Sequence, residues 1–340
     1  MTNLEVFLDE MPGETRGMIA RDGQFERLFI HRDSQPVSLR MGSRSIGRVV
    51  EINPGLGAAF IAIGTESPAF LPLPRDRTLT VGQKLQVVVV SEPRENKGAT
   101  LAMLGEGDGE PRLLEAGPDI ATRLAALAPG AVIQTGLVAI RAGIEAAEEA
   151  LTTRIIFGNV GLDLSVERTR AMVAVDIDHV GSAGRKGRNR ANVEGLRQAA
   201  RLIQLKGWGG LVAIDLVGTA HDATAIGVAA RAAFGDDRHI VYGPLNRFGL
   251  LTLALPWRVR PASEWLVQTD PRFGLENAAI ALVRETRARL LSDTSVPHYR
   301  VTCGPDEAAY VKPWLEALGP RVGLVLDPRL KAGHGTIEEG

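Results

Sequence analysis

Two hydrophobic patterns follow one another along this chain, and each predicts a different architecture. Up to about residue 104, apolar residues alternate in short runs that Gly, Pro and Asp-Gly turns separate, which is typical of β-strands joined by hairpins. From about residue 144, strand-like runs alternate with longer stretches of helical period. This order predicts a multidomain α+β protein in which an all-β part precedes an α/β layer.

The all-β part is predicted to contain two units. Runs on either side of Asp22-Gly23 predict a β meander over residues 1–36. A small barrel of the OB type is predicted over residues 37–104, from five runs at 47–52, 58–63, 69–73, 84–91 and 99–104. OB barrels hold single-stranded nucleic acid with aromatic faces and a basic rim, so Phe60, Phe70 and Lys97 are candidate contacts. Burial in the barrel core is the alternative for both phenylalanines.

Three further units are predicted after the barrel. Residues 105–143 read as a connector with a helix near 120–128. Residues 144–257 form the α/β layer, which includes a helix that Asn192 caps and Gly207 ends. Residues 258–340 form a small domain, with helices predicted over 275–291 and 305–318 and a strand at 299–303.

Charge and composition exclude several classes of protein. The 39 Lys and Arg residues balance 40 Asp and Glu residues, so any contact with a polyanion must be local. A single cysteine, Cys303, and scattered histidines give no zinc-ligand spacing, and no zinc site is expected. The common nucleotide-binding glycine motifs are absent from the sequence. No apolar run could span a bilayer and no signal-peptide pattern is visible, so we expect a cytoplasmic protein.

Three aspartates end predicted strands of the α/β layer. Asp176 and Asp178 are two residues apart in an alternating run, so both point to the same side of the strand. Asp215 ends the next buried run, and if the two strands are neighbours the three carboxylates converge. Such oxygen ligands suit Mg²⁺. The alternative is that each aspartate merely ends a strand.

A basic cluster lies between these strands. It includes Arg185, Lys186, Arg188 and Arg190. Beside a carboxylate site, such a cluster suits a substrate whose phosphate backbone must be held against a cation. A solvated basic loop is the alternative. A metal-dependent phosphohydrolase of small phosphoesters would use the aspartates but would leave the barrel without a role.

Several ordered segments together resemble the ribonuclease E/G family of bacterial endoribonucleases. In the barrel they are G-R-V-V-E-I-N-P-G-L-G-A-A-F at 47–60, A-F-L-P-L at 69–73 and E-N-K-G at 95–98. In the α/β layer they are V-E-R-T-R-A-M-V-A-V-D-I-D at 166–178, N-V-E at 192–194, G-G-L-V-A-I-D at 209–215 and R-F-G-L-L at 247–251. The resemblance covers roughly two-thirds of the chain and matches the tail only weakly.

The resemblance implies a magnesium-dependent endoribonuclease that cuts single-stranded RNA, leaves 5′ phosphates and acts in RNA processing or decay, including ribosomal RNA maturation. Asp176 and Asp215 would hold Mg²⁺, for which Mn²⁺ could substitute, and Asp178 would be either a further ligand or a base beside them. Phe60, Phe70, Lys97 and Arg247 would bind RNA. The barrel would be of S-one type, the α/β layer DNase I-like and the meander a remnant of an RNase H-like domain.

The sequence departs from the family pattern at three places. Asp178 stands where the family has asparagine, which adds a negative charge beside the approaching phosphate. The segment between barrel and α/β layer is short, so the 5′-monophosphate sensor of the family is expected to be lost. The C-x-x-C zinc link is absent, so no zinc-linked homodimer is expected. These departures leave a catalytically weak or inactive RNA-binding protein of the same family as the alternative.

Overall fold

The fold is mixed α+β, as expected. A computed structural model describes residues 3–74, 78–181, 184–219, 221–267 and 271–340. These residues form four β-sheets and seven α-helices. No helix in these ranges is both long and apolar enough to cross a membrane.

The first sheet is an antiparallel meander at the amino terminus. Its strands are β1 (Leu4–Met11), β2 (Glu14–Arg21) and β3 (Gln24–Arg32). Asp22 and Gly23 link β2 to β3, with positive φ angles of 50° and 74°. This geometry is why Asp-Gly is such a strong hairpin signal, and the predicted meander is present.

Residues 44–115 form the second sheet. Its strands are β4 (Arg44–Asn53), β5 (Ala58–Ala62), β6 (Ala69–Pro72), β7 (Lys84–Ser91), β8 (Thr100–Glu106) and β9 (Arg112–Glu115). β4 pairs with β5, β5 with β6, β6 with β8, β8 with β7, and β7 with β4 again. All five predicted strands are present. β9 was missed because its residues are all exposed and show no alternation of burial.

Residues 120–151 connect the second sheet to the third. They form α1 (Ile120–Leu127), β10 (Ile133–Gln134) and α2 (Leu137–Leu151). The helix expected near 120–128 is therefore confirmed. β10 pairs in parallel with β1 and so extends the meander, while buried alanines of α2 join the core shared by the meander and the third sheet.

The third sheet carries the predicted site residues of the α/β layer. Its elements are β11 (Arg154–Phe157), β12 (Leu162–Arg168), β13 (Val173–His179), α3 (Arg185–Leu205), β14 (Gly210–Asp215), α4 (Ala223–Phe234), β15 (Val241–Tyr242) and β16 (Leu250–Leu255). The strand order is β11-β12-β13-β14-β16-β15, and only β13 and β14 run parallel. Parallel neighbours need a long crossover, which α3 provides.

The third sheet has one buried face and one open face. In β13, Val173, Val175 and Ile177 are buried, whereas Asp176 and Asp178 are exposed. The buried residues join an apolar core that includes Leu196 and Ile203 of α3. The open face therefore presents the aspartates, as the period of two predicts.

Helix α3 begins earlier than the sequence indicates. It starts at Arg185 after Gly184, so Asn192 lies inside the helix and does not cap it. The prediction of a helix starting at Asn192 was wrong because Arg, Lys and Ala, which dominate the preceding turns, are themselves strong helix formers. The basic residues therefore occupy the first turns of a helix. The predicted stop is confirmed, since α3 ends at Leu205 and Gly207 has a φ of 68°.

The carboxyl-terminal part contains the fourth sheet and three helices. Its elements are α5 (Ala262–Leu266), α6 (Pro271–Ser292), β17 (Tyr299–Cys303), α7 (Ala308–Leu318), β18 (Val322–Leu326) and β19 (Thr336–Glu339). β17 lies between β18 and β19, and Cys303 is buried in its core. The two helices and the strand predicted here are confirmed. β18 and β19 were missed because they are short and half-exposed.

A buried ionic network joins this part to the meander. Glu14 accepts hydrogen bonds from Arg16, Arg32 and Arg284, at distances of 2.6, 2.7 and 3.0 Å. Burial alone would raise the pKa of Glu14, but the arginines Arg16, Arg284 and Arg32 outweigh it and lower the pKa from 4.5 to about 2. Arg284 also donates to the buried Asp9 at 2.9 Å, so the network binds α6 to β1 and β2.

Gly195 allows α3 to approach β13 closely. A Cβ atom at Gly195 would lie 2.7 Å from Cδ1 of Ile177, the residue between Asp176 and Asp178. At Gly227 of α4, by contrast, an added Cβ would meet no atom within 4 Å. The two glycines therefore form a matched pair for testing helix contact.

We expect Gly195→Ala to lower the free energy of unfolding by about 1–3 kcal/mol, because the added methyl group overpacks the interface. Gly227→Ala should raise it by up to about 1 kcal/mol, since alanine favours the helix. Urea denaturation of both variants checks the pair. Equal effects of the two substitutions would contradict the close packing of α3 on β13.

Candidate catalytic site

Two of the predicted site residues are direct neighbours in the third sheet. Asp176 of β13 is the register partner of Asp215, the last residue of β14. Both side chains are on the exposed positions of their strands. Neighbouring strands lie about 4.8 Å apart, so the two carboxylates can share one cation.

The charges of this pair are costly in the absence of a cation. The pKa of Asp176 is raised above 3.8, first by desolvation and then by the negative charges of Asp215, Asp178 and Asp163. A divalent cation between Asp176 and Asp215 would remove that repulsion. The pair therefore has the ligand type and the electrostatic need that fit Mg²⁺.

Asp178 lies on the same face but does not complete a three-carboxylate cluster. Its Oδ1 accepts a hydrogen bond of 2.7 Å from the backbone N–H of His179. Its cross-strand neighbour Asp163 forms an ion pair with Arg154. Within the described ranges, no three His, Cys, Asp or Glu side chains are grouped so that they could hold a metal ion. The structure thus brings together a carboxylate pair, with Asp178 at its side.

The basic cluster lies at the same end of the sheet, since only five residues separate the end of β13 from the start of α3. Lys186 and Arg190 are exposed on its first turns. The Nε atom of Arg188 is 3.4 Å from the point where Gly218 would carry a Cβ, so Arg188 lies against the loop that follows Asp215. The side chain of Arg185 is outside the described part of the chain.

Asn192 is a site residue whose role the sequence did not reveal. It is 1% exposed. Its Nδ2 donates to the carbonyl oxygen of Val217 at 3.1 Å, and its Oδ1 accepts from the N–H of Val217 at 2.9 Å. Asn192 therefore fixes α3 to the segment two residues beyond Asp215. The sequence signal at this position, an asparagine beside a helical stretch, predicts a helix cap instead.

Arg247 is also at this end of the sheet. It lies in the turn before β16, where Oδ1 of Asn246 accepts from the N–H groups of Phe248 and Leu250 at 2.9 and 3.1 Å. Leu250 is the register partner of Asp215. The guanidinium of Arg247 is 4.9 Å from the ring centroid of Phe248, which is 71% exposed. Phe248 is thus an available stacking surface that the sequence reading did not single out.

The second sheet holds the other predicted contacts. Phe60 and Phe70 are register partners on β5 and β6, and their rings meet edge to face with centroids 6.0 Å apart. Both are half-buried, unlike Ile61 and Leu71 beside them, which are in the core. Lys97 is exposed in the turn that leads to β8. The structure therefore places Phe60 and Phe70 side by side, outside the core.

The second sheet is anchored to the third at the end away from Asp176. Trp257, two residues after β16, has Arg94 and Arg168 against it, with guanidinium carbons 4.4 and 4.9 Å from the ring centroid. Glu95 forms an ion pair with Arg168. Since Arg168 is the register partner of Val173, this contact is at the start of β13.

The comparison with protein families adds independent evidence. Residues 133–255 match the model of the Ribonuclease E/G family. This match supports the predicted family for the segment that it covers, 123 of the 340 residues. It runs from β10 to the end of β16 and so contains the Asp176–Asp215 pair, Asn192 and Arg247. The family indicates endoribonuclease activity in RNA processing and therefore an RNA substrate. No curated protein matches the chain.

The raised pKa of Asp176 predicts a specific effect of Asp176→Asn on stability. Because the folded state holds the Asp176 proton more tightly than the unfolded state, stability falls as the pH rises above 3.8. At pH 7, Asp176→Asn should therefore raise the melting temperature of the metal-free protein. Millimolar Mg²⁺ should raise the melting temperature of the wild type but not of Asp176→Asn.

The control for this experiment is Asp236→Asn, which removes an equal charge from an exposed position. It should leave the response to Mg²⁺ intact. A lower melting temperature of metal-free Asp176→Asn, or the same Mg²⁺ response in all three proteins, would show that the carboxylate pair is not an ion site.

Proposed function

We propose that the protein is a metal-dependent endoribonuclease that cleaves single-stranded RNA. The observation that carries this proposal is the register pairing of Asp176 with Asp215 on an open sheet face, inside the segment that matches the ribonuclease E/G family. Mg²⁺ is the proposed ion, with Mn²⁺ as a substitute. A cytoplasmic protein that processes or degrades RNA, ribosomal RNA included, is the corresponding biological role.

The proposed domain division follows the sequence prediction, with units at 1–36, 37–104, 105–143, 144–257 and 258–340. The closed circuit of strand pairings from β4 back to β4 supports an OB barrel of S-one type. The mixed sheet with helices on one face supports a DNase I-like catalytic layer. The short connector supports loss of the 5′-monophosphate sensor.

RNA binding is proposed to use both sheets. Phe60 and Phe70 would stack unpaired bases and Lys97 would bind the backbone, which explains a preference for single strands. The cations at the carboxyl ends of β13 and β14 would hold the phosphates next to the carboxylate pair; these are Arg185, Lys186, Arg188, Arg190 and Arg247. Asn192 would keep Asp215 and Arg188 in register through Val217.

In the proposed reaction, water attacks the phosphorus atom in line with the P–O3′ bond. Asp176 and Asp215 would hold the ion, which when bound polarises a phosphoryl oxygen and makes water a better nucleophile. Asp178 would accept a proton from the water, and the leaving 3′ oxygen takes up a proton from solvent. The products are a 5′ phosphate and a 3′ hydroxyl. Arg247 would offset charge on the phosphate.

We expect Asp215→Asn to lower the rate of cleavage of an end-labelled, AU-rich single-stranded RNA by about a hundredfold or more, because one ion ligand is lost. Binding of the intact RNA should remain. The measurement is a time course with and without Mg²⁺, and Asp236→Asn, which removes the same charge elsewhere, should cleave like the wild type.

Two outcomes would contradict the proposal. If wild-type protein binds the RNA but never cuts it, the protein is an RNA-binding member of the family and Asp178 is the first residue to revert to asparagine. If Asp215→Asn cuts normally, the ion site lies elsewhere.

A second prediction concerns the barrel. The double substitution of Phe60 and Phe70 by alanine should weaken binding of a single-stranded oligoribonucleotide at least tenfold, since each stacked base contributes about 1–3 kcal/mol. Fluorescence anisotropy with labelled RNA measures the change. Leu104→Ala, at an exposed position of the same sheet, is the control. If the double variant binds RNA with unchanged affinity, Phe60 and Phe70 do not contribute to RNA binding.

A further inference from the structure

A cleft of about 940 Å³ lies between the second and third sheets. On one side is the turn 95–97 of the second sheet, and on the other the turn 168–170 between β12 and β13. Lys206 and Trp208, which follow α3, also line it. Its size is that of a small-ligand pocket.

The cleft carries a strong positive charge. Among the described residues, four cations line it, namely Lys97, Arg168, Arg170 and Lys206. The one carboxylate in this described lining is that of Glu95, which is already paired with Arg168. Lys97 and Arg170 are exposed at opposite sides. Such a surface favours an anion, and a guanidinium binds phosphate particularly well.

Lys206 fixes one of these charges inside the protein. It is 1% exposed, and its Nζ donates to the carbonyl oxygens of Ala150 and Thr152 at 2.8 and 2.6 Å, at the end of α2. Desolvation lowers the pKa of Lys206 from 10.5 to about 8. An anion in the cleft would stabilise the protonated ammonium and so raise this pKa again.

Trp208 gives the cleft an aromatic wall. Lys206 Nζ is 5.0 Å from its ring centroid, and Leu151 and Val267 add further apolar surface. The buried indole Nε1 of Trp208 has no hydrogen-bond acceptor among the residues the structure describes. An aromatic ring beside several cations suits a ligand that has both a base and a phosphate.

The cleft is separate from the carboxylate pair. It borders the turn that precedes β13 and the residues that precede β14, whereas Asp176 and Asp215 are near the other ends of these strands. Val173 and Asp176 are three residues apart, which is about 10 Å along an extended strand. A ligand in the cleft would therefore leave the carboxylates accessible.

We propose that this cleft is a second nucleotide-binding site, in which Arg170 and Lys97 bind a nucleotide phosphate, the buried charge of Lys206 adds to the attraction and Trp208 contacts the base. The nucleotide is either free or part of an RNA chain, since both offer the same groups. The site does not depend on the proposed cleavage reaction.

The test is calorimetric titration with AMP, adenosine and a single-stranded RNA decamer. The protein titrated is Asp215→Asn, the variant that is expected to leave RNA uncut. We expect AMP to bind in a one-to-one ratio and adenosine to bind at least tenfold more weakly, because the phosphate supplies the charge contact. Adding Arg170→Glu should weaken AMP binding at least tenfold. Arg300→Glu, an equal change at an exposed position of β17, should have no effect.

The RNA arm distinguishes the two sources. If AMP does not bind but Arg170→Glu weakens decamer binding at least tenfold, the site holds a nucleotide of an RNA chain. If Arg170→Glu, shown to be folded by its melting temperature, changes neither affinity, the proposal is overturned. Cleavage by the wild type is measured separately. If the wild type does not cut RNA, the nuclease proposal fails, but the AMP titration still tests the cleft.

Discussion

The parallel pairing of β13 with β14 is the constraint on which the rest of the site depends. In an otherwise antiparallel sheet, this pair requires α3 as a crossover, and the crossover returns the chain so that Asp215 is beside Asp176. The same connection places the basic first turns of α3 next to the carboxylates. Gly195 lets the helix approach β13, and Asn192 ties it to the loop after β14. One topological requirement therefore brings carboxylates and cations together.

The cations and the carboxylates at this end of the sheet lie on different kinds of secondary structure. Lys186 and Arg190 on helix α3 and Arg247 on a tight turn are exposed, so water keeps their charges hydrated. The carboxylates are on a rigid sheet, which holds Asp176 and Asp215 together although burial and mutual repulsion raise the pKa of Asp176. Such an arrangement lowers the stability of the empty site and raises the gain from a bound cation, which is a common relation between stability and function.

The sequence predicted local structure better than it predicted assembly. The period of two in 173–178 correctly placed Asp176 and Asp178 on one face, because this property depends only on the backbone. That β14 lies next to β13 could be stated only as a condition, since pairing depends on distant contacts. The start of α3 was misplaced because a basic stretch looks the same as a loop or as an exposed helix. The cleft around Trp208 could not be predicted, as turns and helix ends from separate parts of the chain form it.

The ionic network around Glu14 has a consequence for biosynthesis. Asp9 and Arg284 are 275 residues apart in the chain, so the amino-terminal hairpin is synthesised long before its partner. Until α6 leaves the ribosome, the acidic side chains of β1 and β2 lack a cation that the finished protein provides. The contacts of Arg284 with Asp9 and Glu14 can therefore form only after α6 has been synthesised. A truncated chain that ends before α6 would expose this charged interior to solvent.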